Sequence, residues 1–277
     1  AHDLGNPPFG HSGERAIATF FSEGEGVHLR ERLGDAEWCD LTTFEGNANA
    51  FRLLTHRFCG RRTGGFVMTY STLAAVVKYP FEAAAAGSHG KFGFFDTEKE
   101  TYCKIADEMG IKRLSAPGDP LRYARHPLVY LVEAADDICY EIMDIEDANK
   151  LKILSYHDTA ELMLGFFDEE TKRKIMQRID DEQLTDDNEK IVYMRACVIG
   201  KLVNECVRAF IENEEEILDA RFSGSLIDHI SETPRAAYRR CTEISKKKIY
   251  CSKPVLDVEL SGYKICLLYT SDAADEL

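Results

Sequence analysis

One stretch governs what this chain can fold into: EKIVYMRACVIGKLVNECVRAFIENEEEIL, residues 189–218, where apolar side chains return at every third or fourth position with polar ones between. That period belongs to an α-helix with one face buried against a core. The run HPLVYLVEAADDICYEIMDIEDA repeats it, and GERAIATFFSEGEG and TEKETYCKIADEMG do so over shorter spans. Together they predict an all-α chain. Gly60–Gly65 (GRRTGG), Gly87–Gly93 (GSHGKFG) and Ser115–Pro120 (SAPGDP) read as loops between helices. KKIYCSKPVLDVELSGYKI, with its β-branched and alternating character, predicts a short strand or hairpin near the C-terminus.

With 277 residues and 44% hydrophobic content, the chain is long and apolar enough to bury a core as one large domain or two small ones. Its 48 Asp and Glu against 34 Lys and Arg give a formal net charge of -14, which opposes nonspecific adhesion to nucleic acid or anionic membranes. A polyanionic substrate therefore requires a local pocket of positive charge. The nine cysteines are scattered singly, with no CxxC pair, which disfavours a disulfide framework and a structural zinc site and fits a reducing cytoplasm. No stretch of about 18 apolar residues occurs, so no membrane span is expected.

The densest chemistry lies in the first fourteen residues, AHDLGNPPFGHSGE. His2 and Asp3 offer an imidazole nitrogen and a carboxylate oxygen, donors that suit a divalent ion able to activate water. Pro7, Pro8 and Gly10 constrain the turn, while Gly5 admits backbone conformations closed to other residues. Ser12 reads as a helix N-cap. His11 and Glu14, three apart at a helix start, can share a face, so that the carboxylate orients the imidazole for proton transfer near neutral pH. Taken singly, His2 and His11 read as satisfied core or surface histidines and Asp3 as a cap; their joint spacing is what points to a site. Further on, Asp136, Tyr140 and Asp144 stand at i, i+4 and i+8 of one helical run, a single stripe. By itself that stripe reads as a solvated acidic face.

The word HDxGxPPFGHxGE resembles the bacterial deoxyguanosine triphosphate triphosphohydrolases and their deoxynucleotide-hydrolysing relatives within the HD superfamily, and the resemblance runs from Ala1 to Ile265. It implies an HD-domain helical fold, with a phosphohydrolase core over residues 1–165 and a C-terminal helical region over 166–265. Residues 266–277, CLLYTSDAADEL, are similar to a translated sequencing adapter and are expected to be non-native. The activity implied is hydrolysis of a deoxynucleoside triphosphate, of the dGTP type, to deoxynucleoside and tripolyphosphate.

His2, Asp3 and Asp136 match the family's ligands for a divalent cofactor, Mn²⁺ or Mg²⁺. His11, supported by Glu14, matches the catalytic group. Tyr140 and Asp144 match residues that contact the deoxyribose, the ring under the sugar and the carboxylate accepting from its 3′-hydroxyl. WCDLTTFEGNANAFRLLTH and TYSTLAAVVKYPF also resemble family segments, and they put Asn47, Lys78 and Tyr79 among the phosphate and ribose contacts, where a Lys supplies the point charge that phosphate oxygens require. Arg52, Arg61, Arg62, Arg125 and His126 receive no role. The resemblance further implies a homo-oligomer, with a hexamer within its range, and a response to a nucleotide or single-stranded DNA effector. The chain begins inside the motif without Met, so a further ligand histidine is expected to precede it, and little activity is expected of the piece alone. Two other readings stay open: an HD phosphohydrolase for a monophosphate or a signalling nucleotide, and a nucleotide- or DNA-binding regulator with a vestigial metal site.

Overall fold

The computed structural model describes residues 2–57, 65–87 and 90–275. Its elements are helical, and the strand-like features among the described residues are two isolated antiparallel bridges, Phe81 with Arg122 and Arg113 with Tyr123. The fold is all-α. The chain divides into two compact units, one of residues 1–132 with 257–277 and the other of residues 133–256.

The first unit opens with a 3-10 turn, His2–Gly5, followed by α1 (His11–Ser22), α2 (Asp35–Thr42), α3 (Gly46–Thr55), α4 (Tyr70–Val76) and α5 (Lys99–Glu108). Helix starts fall where a side chain can satisfy orphan amides: Glu45 accepts from the Asn47 amide at the head of α3, and Thr69 from that of Thr72 at the head of α4. The core forms where α3, α4 and α5 present Phe51, Leu54, Leu73, Val76, Tyr102 and Ile105 to one another, all nearly or fully buried. Phe94 stacks on the Tyr102 ring at 4.6 Å between centroids. Side chains of this size contribute roughly 1.5–3 kcal/mol each when fully buried. Phe92 and Phe95 fill a smaller neighbouring cluster with Ala48 and Ala83.

Asp40 is buried in α2 and accepts the Asp96 amide at 2.7 Å, which ties α2 to the short turn Asp96–Glu98 that leads into α5. Burial pushes its carboxyl up to about 7; the Asp96 bond opposes that rise, and the carboxylates of Asp96, Glu82 and Glu98 add to it.

The second unit contains most of α6 (Pro127–Lys150), then α7 (Tyr156–Leu164), α8 (Glu169–Asp181), α9 (Asp187–Glu212), α10 (Glu214–Leu218) and α11 (Glu232–Ile244), with a π-helical turn at Ser245–Ile249. Ser155, Asp168 and Asp186 cap α7, α8 and α9. In α9 the buried residues Ile191, Met194, Val198, Leu202 and Cys206 follow the helical period, and α6 does the same with Ala134, Ile138, Ile142 and Ile145.

The expected strand or hairpin near the C-terminus is not formed. Residues 245–249 are the π turn, and α12 (Lys253–Asp275) covers the rest of that segment. Its buried and half-buried positions, Gly262, Tyr263, Cys266, Leu267 and Thr270, return at helical spacing. Among the described residues the β-branched positions meet no partner strand, and contact along one helical face outweighs local propensity. Among the described residues no helix is long and apolar enough to cross a membrane, and the eight described cysteines are free thiols.

Candidate active site

The His2–Gly5 turn is pressed onto α3. A Cβ on Gly5 would come within 2.1 Å of both the Ala50 nitrogen and the Gly46 oxygen, and the Asn49 side chain donates to the Gly5 carbonyl at 2.8 Å. Gly5 is thus required by close approach rather than by an unusual φ. The left-handed backbone of this loop falls at Phe9, φ 63°, and Gly10, φ 53°. Ser12 is not the N-cap: α1 begins at His11 after Gly10, and the buried Ser12 hydroxyl accepts from Arg15 instead, at 3.1 Å. Later in the chain, α12 braces the same loop, with Gly262 against the Phe9 ring and the Tyr263 hydroxyl 3.2 Å from that of Thr19.

At the head of α1, His11 Nδ1 lies 2.7 Å from Glu14 Oε2, and the other oxygen of Glu14 accepts the Gly46 amide at 2.7 Å. The imidazole side chain is 75% exposed while that of Glu14 is 11% exposed, so a buried carboxylate anchors a ring that faces outward. Burial alone would raise the Glu14 carboxyl; the bonds from His11 and Gly46, with the Lys91 charge, outweigh it and hold the carboxyl below its ordinary value. Beside this pair a cavity of about 360 Å³ is lined by Arg15, Phe44, Glu45 and Lys91 among others.

Asn47 sits one link away. Its amide and side-chain nitrogen donate to Glu45 at 2.7 and 2.8 Å, and Glu45 in turn holds the Lys91 ammonium at 2.7 Å. Burial works against the Lys91 charge, but Glu45, Glu14 and Tyr79 more than compensate, so its pKa is raised. The structure therefore brings His11, Glu14 and Asn47 together, with Tyr79 beside Lys91. Lys78 lies half-buried with its ammonium 5.8 Å from the centre of the Tyr79 ring.

Lys91 and Glu45 were not among the residues singled out from sequence. The one available signal was a lone cation in the aromatic run KFGFF. Phe92 and Phe94 are fully buried on either side of Gly93, whose Cβ would meet the Tyr79 carbonyl at 2.2 Å, and this fixes where Lys91 leaves the backbone.

In the second unit, Asp136, Tyr140 and Asp144 lie along α6. The Tyr140 side chain is largely exposed; partial loss of water around its hydroxyl, with the Asp144 and Asp136 carboxylates, raises its pKa against the opposing bond with Tyr250. Asp144 accepts from the Tyr250 hydroxyl at 2.7 Å; burial raises its carboxyl and the Tyr250 bond partly offsets that. Tyr250, just past the π turn, is a further member that sequence reasoning missed. Behind this stripe, buried Glu141 accepts from Ser245 and Thr242 at 2.8 and 2.9 Å, which anchors the π turn to α6.

Asp3 is exposed, and one of its oxygens accepts from Asn6 at 3.0 Å. A carboxylate so placed is a hard oxygen donor of the kind that suits Mg²⁺ or Mn²⁺. The side chain of His2 lies outside the described residues, and Asp136 belongs to the other unit. Among the described residues no three His, Cys, Asp or Glu gather closely enough to hold an ion. What the described geometry can do chemically is hold an imidazole beside a cavity lined by charges of both signs, Arg15 and Lys91 with Glu14 and Glu45.

No protein-family model matches the chain. A deoxyguanosinetriphosphate triphosphohydrolase-like protein of Pseudomonas aeruginosa (strain LESB58) is 36% identical over 270 residues, covering 95% of this chain and 59% of that protein. One of the same description from Synechocystis is 31% identical over 277 residues, covering 96% and 60%. The deoxyguanosinetriphosphate triphosphohydrolase of Yersinia pseudotuberculosis is 29% identical over 310 residues, covering 95% and 58%. The chain spans about three fifths of the length of these relatives. Along nearly all of its own length, then, the chain is a homologue of the deoxyguanosinetriphosphate triphosphohydrolase-like proteins.

Proposed function

We propose that this chain carries the hydrolytic site of a metal-dependent deoxynucleoside triphosphohydrolase, of the dGTP type, that releases the deoxynucleoside and tripolyphosphate. The observation that carries the reading is the His11–Glu14 pair: Nδ1 is engaged at 2.7 Å by a carboxylate while the ring remains open to the surroundings. An imidazole fixed through Nδ1 presents Nε2 to a reacting oxygen. His11 accordingly gives a proton to the departing 5′-oxygen, and Glu14 keeps the ring oriented. Lys78 meets the phosphate oxygens, the Tyr140 ring lies under the deoxyribose, and Asp144 accepts from its 3′-hydroxyl. His2, Asp3 and Asp136 are the ligands assigned to a divalent ion, Mn²⁺ or Mg²⁺. When bound, that ion supplies Lewis-acid polarisation of the α-phosphate and an activated water.

The relatives' names support the substrate class and the paired side chains support the proton transfer. The test, made on a protein that carries this chain and spans the full length of its relatives, is hydrolysis of the four deoxynucleoside triphosphates with Mn²⁺ and product analysis. Tripolyphosphate is the expected product, and His11→Ala is expected to lower kcat by roughly 10²- to 10⁴-fold with helical content unchanged. Release of orthophosphate alone would shift the assignment to a different phosphohydrolase, and full activity of H11A would remove His11 from the mechanism.

A further inference from the structure

The side chain of Glu45 is 2% exposed, and the Asn47 amide, the Asn47 side chain and the Lys91 ammonium all donate to its carboxylate at 2.7–2.8 Å. The same ammonium stands 3.8 Å from Glu14 Oε2, the oxygen to which His11 Nδ1 is held at 2.7 Å. One ammonium thus faces two carboxylates, and one carboxylate oxygen faces both an imidazole nitrogen and an ammonium. We infer that Glu45 is a positioning residue: it keeps the Lys91 ammonium in its own hydrogen bond at 2.7 Å and at ion-pair distance, 3.8 Å, from Glu14, and thereby leaves the close contact with Oε2 of Glu14 to the His11 ring.

Three features make this arrangement depend on Glu45. The backbone of Lys91 cannot withdraw, because Phe92 and Phe94 are buried on either side and the Gly93 amide donates to the Phe81 carbonyl at 3.1 Å. Oε1 of Glu14 is committed to the Gly46 amide, so Oε2 is the oxygen over which imidazole and ammonium compete. The remaining charged or titratable neighbours do not relieve that competition, since the Arg15 guanidinium donates to Ser12 and Tyr79 only favours the Lys91 charge. With Glu45 neutral, Coulomb attraction turns the ammonium to the nearest remaining anion, which is Glu14. His11 is mostly solvent-exposed and Glu14 orients it, so it is the partner displaced. Neither carboxylate is a catalytic residue in this scheme; both act through His11.

The catalytic consequence rests on the proposed function, whereas the contact itself does not, and the experiment separates the two. Imidazole ¹H–¹⁵N NMR of the chain, with His11 assigned by comparison with H11A, reads the Nδ1 hydrogen bond directly. Glu45→Gln is expected to lose that signal. The double substitution Glu45→Gln with Lys91→Gln, which replaces the ion pair by two amides able to bond each other, is expected to restore it. An E45Q protein that keeps the His11 signal overturns the inference, as does a folded double variant that lacks it. Should E45Q alone fail to fold by circular dichroism, the double variant decides the matter by the same criterion. In the hydrolysis assay, E45Q is expected to lose kcat on the order of 10²-fold, as for a displaced catalytic group, with KM little changed. Unchanged kcat in a variant that has lost the signal would count against His11 as proton donor and leave the role of Glu45 standing.

Discussion

Asp40 shows how a single side chain writes a pH dependence into the fold. Its carboxyl is buried among the carboxylates of Asp96, Glu82 and Glu98, and its pKa rises from 3.8 to about 7. Between those values the folded state binds more protons than the unfolded chain, so stability falls as pH rises through that window and levels off above it. Asp40→Asn keeps an oxygen for the Asp96 amide and removes the charge. Relative to wild type it should gain stability at pH 8 and little at pH 4, as read by denaturant unfolding at both; an equal gain at the two pH values would refute the assignment. The same scale explains what the sequence disclosed. His11 and Glu14 were legible because they are neighbours on one helical turn. Lys91 and Tyr250 were not, because the carboxylates that define them lie 46 and 106 residues away.

Helices were legible where the apolar period runs long, as in α6 and α9. The C-terminal segment misled because alternation and β-branching describe a local preference, while a strand needs a partner that this part of the chain does not meet. Ser12 misled for a related reason: a hydroxyl near a helix start is a cap only if it precedes the first turn, and here the helix begins one residue before it. Close packing of elements carries its own expectation. In Gly5→Ala the methyl would meet backbone of α3 rather than a movable side chain. The turn that bears Asp3 must shift, at a cost of at least the roughly 1–3 kcal/mol typical of overpacking. Thermal unfolding should show a lowered midpoint, and an unchanged one would mean that the turn does not rest on α3.

Across the whole molecule, the candidate residues divide by unit: Asp3, His11, Glu14, Asn47, Lys78 and Tyr79 in the first, Asp136, Tyr140 and Asp144 in the second. Each unit has its own apolar core. Chelation of divalent ions is therefore expected to abolish triphosphate hydrolysis while leaving helical content and the unfolding midpoint nearly unchanged; a chelated protein that unfolds would make the ion structural. The first unit is also discontinuous, because α12 returns to it after the whole of the second. Tyr263 reaches Thr19 across 244 residues, and Gly262 closes on Phe9 beside His11. During synthesis, then, the His11 loop leaves the ribosome well before α12 does and lacks this brace until Tyr263 has followed it, so the candidate site matures late.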